Sequence, residues 1–142
     1  MAKGATFDND LLKMIFNATA IANLADNAAS SPLTNLYVSL HTADPTSAGN
    51  QTSNETSYTS YARVAVARTT GGWTVTTNSV SPAATISFPA CTGGTATITY
   101  LGIGTASSGT GKLLYSGTVS PNIAVASGVT PQLTTATTGT ES

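Results

Sequence analysis

His41 and Asp44 stand three positions apart, and a histidine near a carboxylate could serve as half of a general-base relay. A relay of that kind also needs a positioned nucleophile, and serine and threonine are too abundant here for one to stand out. Glycoside hydrolysis needs two carboxylates across one bond, and no such pair emerges from the six acidic residues. A metal centre needs three or four ligands, and only an improbable fold would gather Asp26, Asp44 and Glu55. The run Ala106-Ser-Ser-Gly109-Thr-Gly111-Lys112-Leu113 has some look of a phosphate-binding loop. It lacks the first glycine, has Leu113 where a hydroxyl is required, and leads into a strand where a helix N-terminus is needed. A hairpin turn is the better reading. The single Cys91 has no partner for an internal disulfide, and no cation lies near it in sequence to activate the thiol. These residues predict a protein without catalytic, metal or cofactor chemistry, and His41 is expected on the solvent face of a strand end.

Aromatic residues offer a different chemistry. Trp73 with Tyr37, Tyr58, Tyr61, Tyr100 and Tyr115 could form a platform on a sheet face for stacking on sugar. Packing of Trp73 into a core, or over a sheet edge, is the competing expectation.

The elements that would position these residues follow from the hydrophobic pattern. Residues 8–27 read as one long helix, with Asp8 and Asp10 suited to the positive end of its dipole. Leu11, Ile15, Ala18 and Ala22 recur at helical spacing, and Leu12, Met14, Phe16, Ile21 and Leu24 widen the apolar arc beyond one face. Ser30-Ser31-Pro32 closes the segment. From residue 33 the period changes to two. Leu36, Val38 and Leu40 alternate with polar neighbours, and further strands are expected at 61–69, 73–76, 84–88, 95–103, 112–115, 122–126 and 129–137. Gly71-Gly72 is expected to turn a hairpin, and Pro131 to mark an edge strand. About eight short strands at this spacing predict a mainly β fold, an antiparallel β-sandwich of jelly-roll or Ig-like type with one N-terminal α-helix. The division expected is an N-terminal helical segment over 1–32 and a β-sandwich domain over 33–142. Residues 42–60 show no periodicity, and a loop that long is either a mobile surface loop or an ordered contact arm or ligand-facing loop.

Charge narrows the partners. Only 8% of residues are charged and the net charge is -1. Five scattered basic residues cannot neutralise a phosphate backbone, so nucleic acid is not expected. No apolar run is long enough to span a membrane, and the N-terminus lacks the pattern of a signal peptide. Threonine in place of lysine and glutamate keeps strand faces wettable without charge, and a net charge near zero favours self-association.

Five phrases in order carry a family resemblance: Leu36-Tyr-Val-Ser-Leu-His-Thr-Ala-Asp-Pro45, Tyr61-Ala-Arg-Val-Ala-Val-Ala-Arg68, Gly72-Trp-Thr-Val75, Gly102-Ile-Gly-Thr105 and Leu113-Leu-Tyr-Ser-Gly-Thr-Val119. They resemble small virion proteins of tailed bacteriophages, of head-decoration or tail-fibre type, over about residues 33–137. The resemblance implies a β-rich structural subunit located in the virion and made in the host cytoplasm. Its expected partners are the major capsid protein or a tail protein of the same phage, together with other copies of itself, with a trimer as the guess. The first reading is a capsid decoration or cement subunit. The alternative is a tail or head fibre module that binds host-surface glycan. Leu12, Phe16, Leu24, Tyr58, Tyr61 and Trp73 are the expected partner contacts.

Overall fold

The computed structural model of the chain describes residues 5–21 and 32–141. It contains one helix, α1 (Ala5–Phe16), then β1 (Asn35–His41), β2 (Val64–Ala67), β3 (Trp73–Thr76), β4 (Ser79–Pro82), β5 (Ile86–Ser87), β6 (Ala96–Gly104), β7 (Leu113–Val125), β8 (Gln132–Leu133) and β9 (Gly139–Thr140). The strands form a four-stranded sheet in the order β2-β1-β6-β7, a three-stranded sheet β3-β4-β9 and a pair β5-β8. The pairings of β1 with β6, β6 with β7, β3 with β4 and β4 with β9 are antiparallel. No sheet closes into a barrel among the described residues. The expectation of a mainly β chain with antiparallel sheets and one N-terminal helix therefore holds.

Two compact units share the chain. One comprises the described part of 1–35 with Val66–Thr85 and 133–141. The other comprises Leu36–Ala65 and Ile86–Gln132. The boundaries fall inside β1, β2 and β8, so these strands carry the chain from one unit into the other.

In the first unit α1 lies on the hairpin of β3 and β4. Its buried stripe is Asp8, Leu12 and Phe16, spaced by four, and not the Leu11–Ile15 stripe that the sequence pattern favoured. Phe16 meets Trp73 edge to face, with ring centroids 4.8 Å apart. Leu12, Phe16, Trp73, Val80 and Leu133 are buried in this unit.

The helix ends at Phe16, well short of residue 27. Residues 17–20 form no helix, and residues 22–27 of that expectation, Leu24 among them, lie outside the described residues. Arg68 supplies the reason. Its guanidinium donates to the carbonyls of Ile15 at 2.7 Å and Met14 at 2.8 Å, and also to Leu33 O at 2.7 Å. Those helical carbonyls would otherwise accept from the next turn. A cation there also suits the negative end of the helix dipole. Beyond it Ala18 takes a left-handed φ of 52° and Thr19 N folds back to Lys13 O.

Two strand expectations are corrected. Gly71-Gly72 does not make a hairpin, because β2 and β3 belong to different sheets. Gly72 N bonds Thr69 O, and a Cβ on Gly72 would stand 2.1 Å from Ala67 O, so the segment is a tight corner. The hairpin instead turns through Thr77-Asn78, with Thr77 at a φ of 52°. The separate strands expected near 112–115 and 122–126 are one strand, β7. Both parts pair with β6, with a register shift between Ile98↔Ile123 and Tyr100↔Thr118. Thr99 alone thus faces residues 119–122, and Pro121 sits in that irregularity, where a missing N–H breaks no ladder.

Arg68→Ala would leave the two helix carbonyls without their charged donor. The expected cost is about 2 kcal/mol in denaturant unfolding, because hydrogen bonds to charged groups contribute about that much. Far-UV circular dichroism should show loss of helix signal before the global transition.

Candidate functional site

The long polar segment after β1 is ordered, and a network of buried polar side chains in the second unit fixes it. The chain turns at Asp44, whose Oδ1 accepts from Thr46 N at 2.8 Å. It then returns to the end of β1. Thr42 N donates to Asn54 O, and Thr56 N to Leu40 O, both at 2.9 Å, forming a bridge between His41 and Glu55. Further on, Thr59 bridges Gly93, with Thr59 N donating to Gly93 O at 2.9 Å.

Glu55 and Arg63 anchor this return. Arg63 Nε and Nη2 each donate to one carboxylate oxygen of Glu55 at 2.7 Å. The remaining guanidinium donors reach Ala106 O at 2.9 Å and Gly109 O at 2.7 Å. The tip of the β6–β7 connection is thereby tied to residue 55. The Arg63 side chain is 3% exposed and that of Glu55 14%. The carboxylate hydrogen bond raises the Arg63 pKa above its usual value. Tyr61 Oη donates to Glu55 and accepts from Leu40 N. Burial pushes the Tyr61 phenol far above its ordinary pKa, so it stays neutral. The Ala106–Leu113 run is therefore a strand-to-strand turn held by an arginine, as its departures from a phosphate loop suggested.

His41 is fully buried, not on a solvent face as expected. It is the seventh residue of β1 and points into the unit because the inner half of β1 is buried on both sides. Its Nδ1 lies 2.9 Å from Ser53 O and donates to that carbonyl, which leaves Nε2 to accept from Ser39 Oγ at 2.8 Å. Gly102 lies opposite Ser39, and a Cβ there would stand 2.6 Å from His41 Nε2. A serine hydroxyl on an imidazole is the arrangement of an activated nucleophile. Here both residues are 0% exposed and the third partner is a neutral carbonyl, so the pair serves as packing. Gln51, also 0% exposed, fills the space above Gly104: it accepts from Ala106 N, and a Cβ on Gly104 would come within 2.2 Å of its Cδ. Among the described residues no three of His, Cys, Asp and Glu come together as metal ligands, and no helix is long and apolar enough to cross a membrane.

The segment held by this network forms one wall of a cleft of about 260 Å³. Thr42 and residues 55–59 line one side, and residues 93–96 the other. Thr42, Ser57, Thr59 and Thr95 are exposed, whereas Thr56 and Tyr58 are buried. Thr56 is 4% exposed and its Oγ1 has no partner among the described residues. Tyr58 donates its hydroxyl to Pro89 O at 2.9 Å, and its ring meets Tyr61 edge to face.

A family model described as podophage GP4 fiber I protein gp80 matches residues 5–140. The chain belongs to that family. It is a bacteriophage fibre protein, a structural component of the virion and not an enzyme. The match reaches back through α1, beyond the stretch over which the resemblance was visible. It favours the fibre reading over the capsid-cement reading that the sequence placed first. No curated protein matches the chain.

Of the expected contact residues of this fibre protein, Tyr58 alone borders the cleft. Tyr61 sits behind it in the Glu55–Arg63 network. Leu12, Phe16 and Trp73 lie inside the first unit, where Trp73 packs against Phe16. Leu24 is outside the described residues. Sequence reading singled out neither Gln51 nor the Glu55–Arg63 pair. The available signal was that a chain so poor in charge places both its arginines in one short motif, Tyr61–Arg68.

Arg63→Ala would leave the Glu55 carboxylate enclosed without its partner, at an expected cost of about 3 kcal/mol in chemical denaturation. Glu55→Gln, which keeps an acceptor, should cost less. Stability should also depend on pH through His41, whose pKa burial depresses below its ordinary value. The unfolded chain then binds a proton that the folded chain refuses. The His41 contribution is complete above about pH 6.5 and is lost as pH falls below that value. Melting temperatures across pH 4–8 should show this fall, and His41→Gln should flatten that part of the profile.

Proposed function

We propose that this fibre subunit contacts the host through surface saccharide taken into the cleft between residues 55–59 and 93–96. The observation that carries the reading is the cleft itself, a concave site walled by hydroxyl side chains and held by a buried ion pair. Ligand sites are concave, largely pre-formed and equipped with a few fixed polar groups. Residues 55–59 are preformed in this sense, since backbone bonds to Leu40 and Gly93 clamp both ends. The sugar-stacking platform built on Trp73 gives way to this cleft, because Trp73 is 2% exposed.

The fibre setting supports the reading physically. A single shallow polar site binds weakly, and repetition of subunits along or around a fibre converts weak sites into avidity. A homo-oligomer, with a trimer as one closed solution, suits a chain whose net charge of -1 offers little repulsion between copies.

The test is a glycan array probed with the whole protein and with Thr95→Arg, which places a long side chain at the cleft mouth. The wild type should bind a defined set of glycans. The variant should lose more than about tenfold in affinity, a change of about 1.4 kcal/mol, with its melting temperature unchanged. Absence of any glycan signal, together with binding to purified capsids that raises their melting temperature, would overturn the proposal in favour of head decoration.

A further inference from the structure

We infer that the cleft takes a neutral saccharide, one without carboxylate, sulfate or phosphate groups; this rests on the saccharide reading above and narrows it. Among the described residues no lysine or arginine lines the cleft to pair with an acidic substituent. The ionisable groups on its described walls are the Glu55 carboxylate and the Tyr58 phenol. Arg63 neutralises the first through two hydrogen bonds at 2.7 Å, and burial holds the second in its neutral form. An acidic sugar entering here would give up hydration and find no free cation to pair with, because Glu55 already engages Arg63. A neutral sugar meets hydroxyls that both donate and accept, matching its own ring of hydroxyls.

The hydroxyl residues open to a sugar are Thr42, Ser57, Thr59 and Thr95, which line the cleft and are exposed, whereas Thr56 is buried behind them. No aromatic face lies open for stacking, since the Tyr58 ring is buried against Tyr61. Binding at each site therefore rests on hydrogen bonds, and affinity rises with the number of subunits engaged together.

Saturation-transfer NMR and array binding with the whole protein test this. The probes are neutral oligosaccharides of glucose, galactose, mannose and N-acetylhexosamine, alongside sialylated, sulfated and uronic-acid counterparts of matching linkage. The expected result is binding of one or more neutral probes, at least about tenfold weaker binding of the acidic counterparts, and little change with salt. Thr95→Val keeps the shape and removes one hydroxyl from the exposed wall. It should leave the melting temperature unchanged or higher and weaken the neutral probe about fivefold, the loss expected for one hydrogen bond. Tighter binding of an acidic counterpart would overturn this inference while leaving the saccharide reading intact. Neutral binding unaffected by Thr95→Val would overturn the role given to that hydroxyl and with it the site. Failure of every saccharide would overturn both readings together.

Discussion

Arg63 carries a full charge on a side chain 3% exposed. Such a charge is tolerated in a protein interior only where its donors are matched. Four hydrogen bonds meet that demand: two to Glu55 and one each to the carbonyls of Ala106 and Gly109. The carboxylate and the two carbonyls come from connections far apart in sequence, and the guanidinium ties them together. Desolvation offsets much of the Coulomb attraction, so the pair's main contribution is to placement. It decides where residues 55 and 106–109 lie. Gln51, Tyr61, His41 and Ser39 pack around the result with their own partners. The cleft inherits its inner wall from that ordering.

A parallel solution operates within the first unit. There Arg68, five positions after Arg63, sends its guanidinium to three backbone carbonyls and ends the helix. Both arginines of a chain with few charges thus act internally, each fixing a loop or a helix end by bonding main-chain oxygens. The surface is left to threonine, serine and asparagine. Such a surface interacts through hydrogen bonds and shape, with little long-range electrostatic steering. That suits the contact with a hydroxylated surface proposed for this fibre protein.

Much of the fold was legible in local pattern. The alternation of Leu36, Val38 and Leu40 gave β1, and the run from Ala96 to Gly104 gave β6. The misreadings share one physical cause. The helix pattern continued past Phe16, but Arg68, more than fifty residues away, took the carbonyls that would have propagated it. The period-two pattern placed His41 on an outer face, yet both faces of the inner half of β1 are covered. Residues 42–60 lacked any period because their order comes from side-chain bonds to distant partners, which leave no repeat in the sequence. Gly102 and Gly104 make room for His41 and Gln51, and those contacts leave no pattern in the local sequence. The cleft was illegible for the same reason, since its two walls are joined by bonds of Thr59 to Gly93 and Thr92, more than thirty residues away.

The segment from Thr42 to Thr59 is held as firmly as the sheet beside it, with Arg63 as the holding group. Native-state hydrogen exchange reads this directly at the amides of Thr42, Thr56 and Thr59, which bond Asn54, Leu40 and Gly93. Protection there should be comparable to that of the β1 and β6 amides in the wild type and should be selectively lost in Arg63→Ala. Exchange of these three amides at the rate of an unstructured chain in the wild type, while β1 and β6 remain protected, would contradict it.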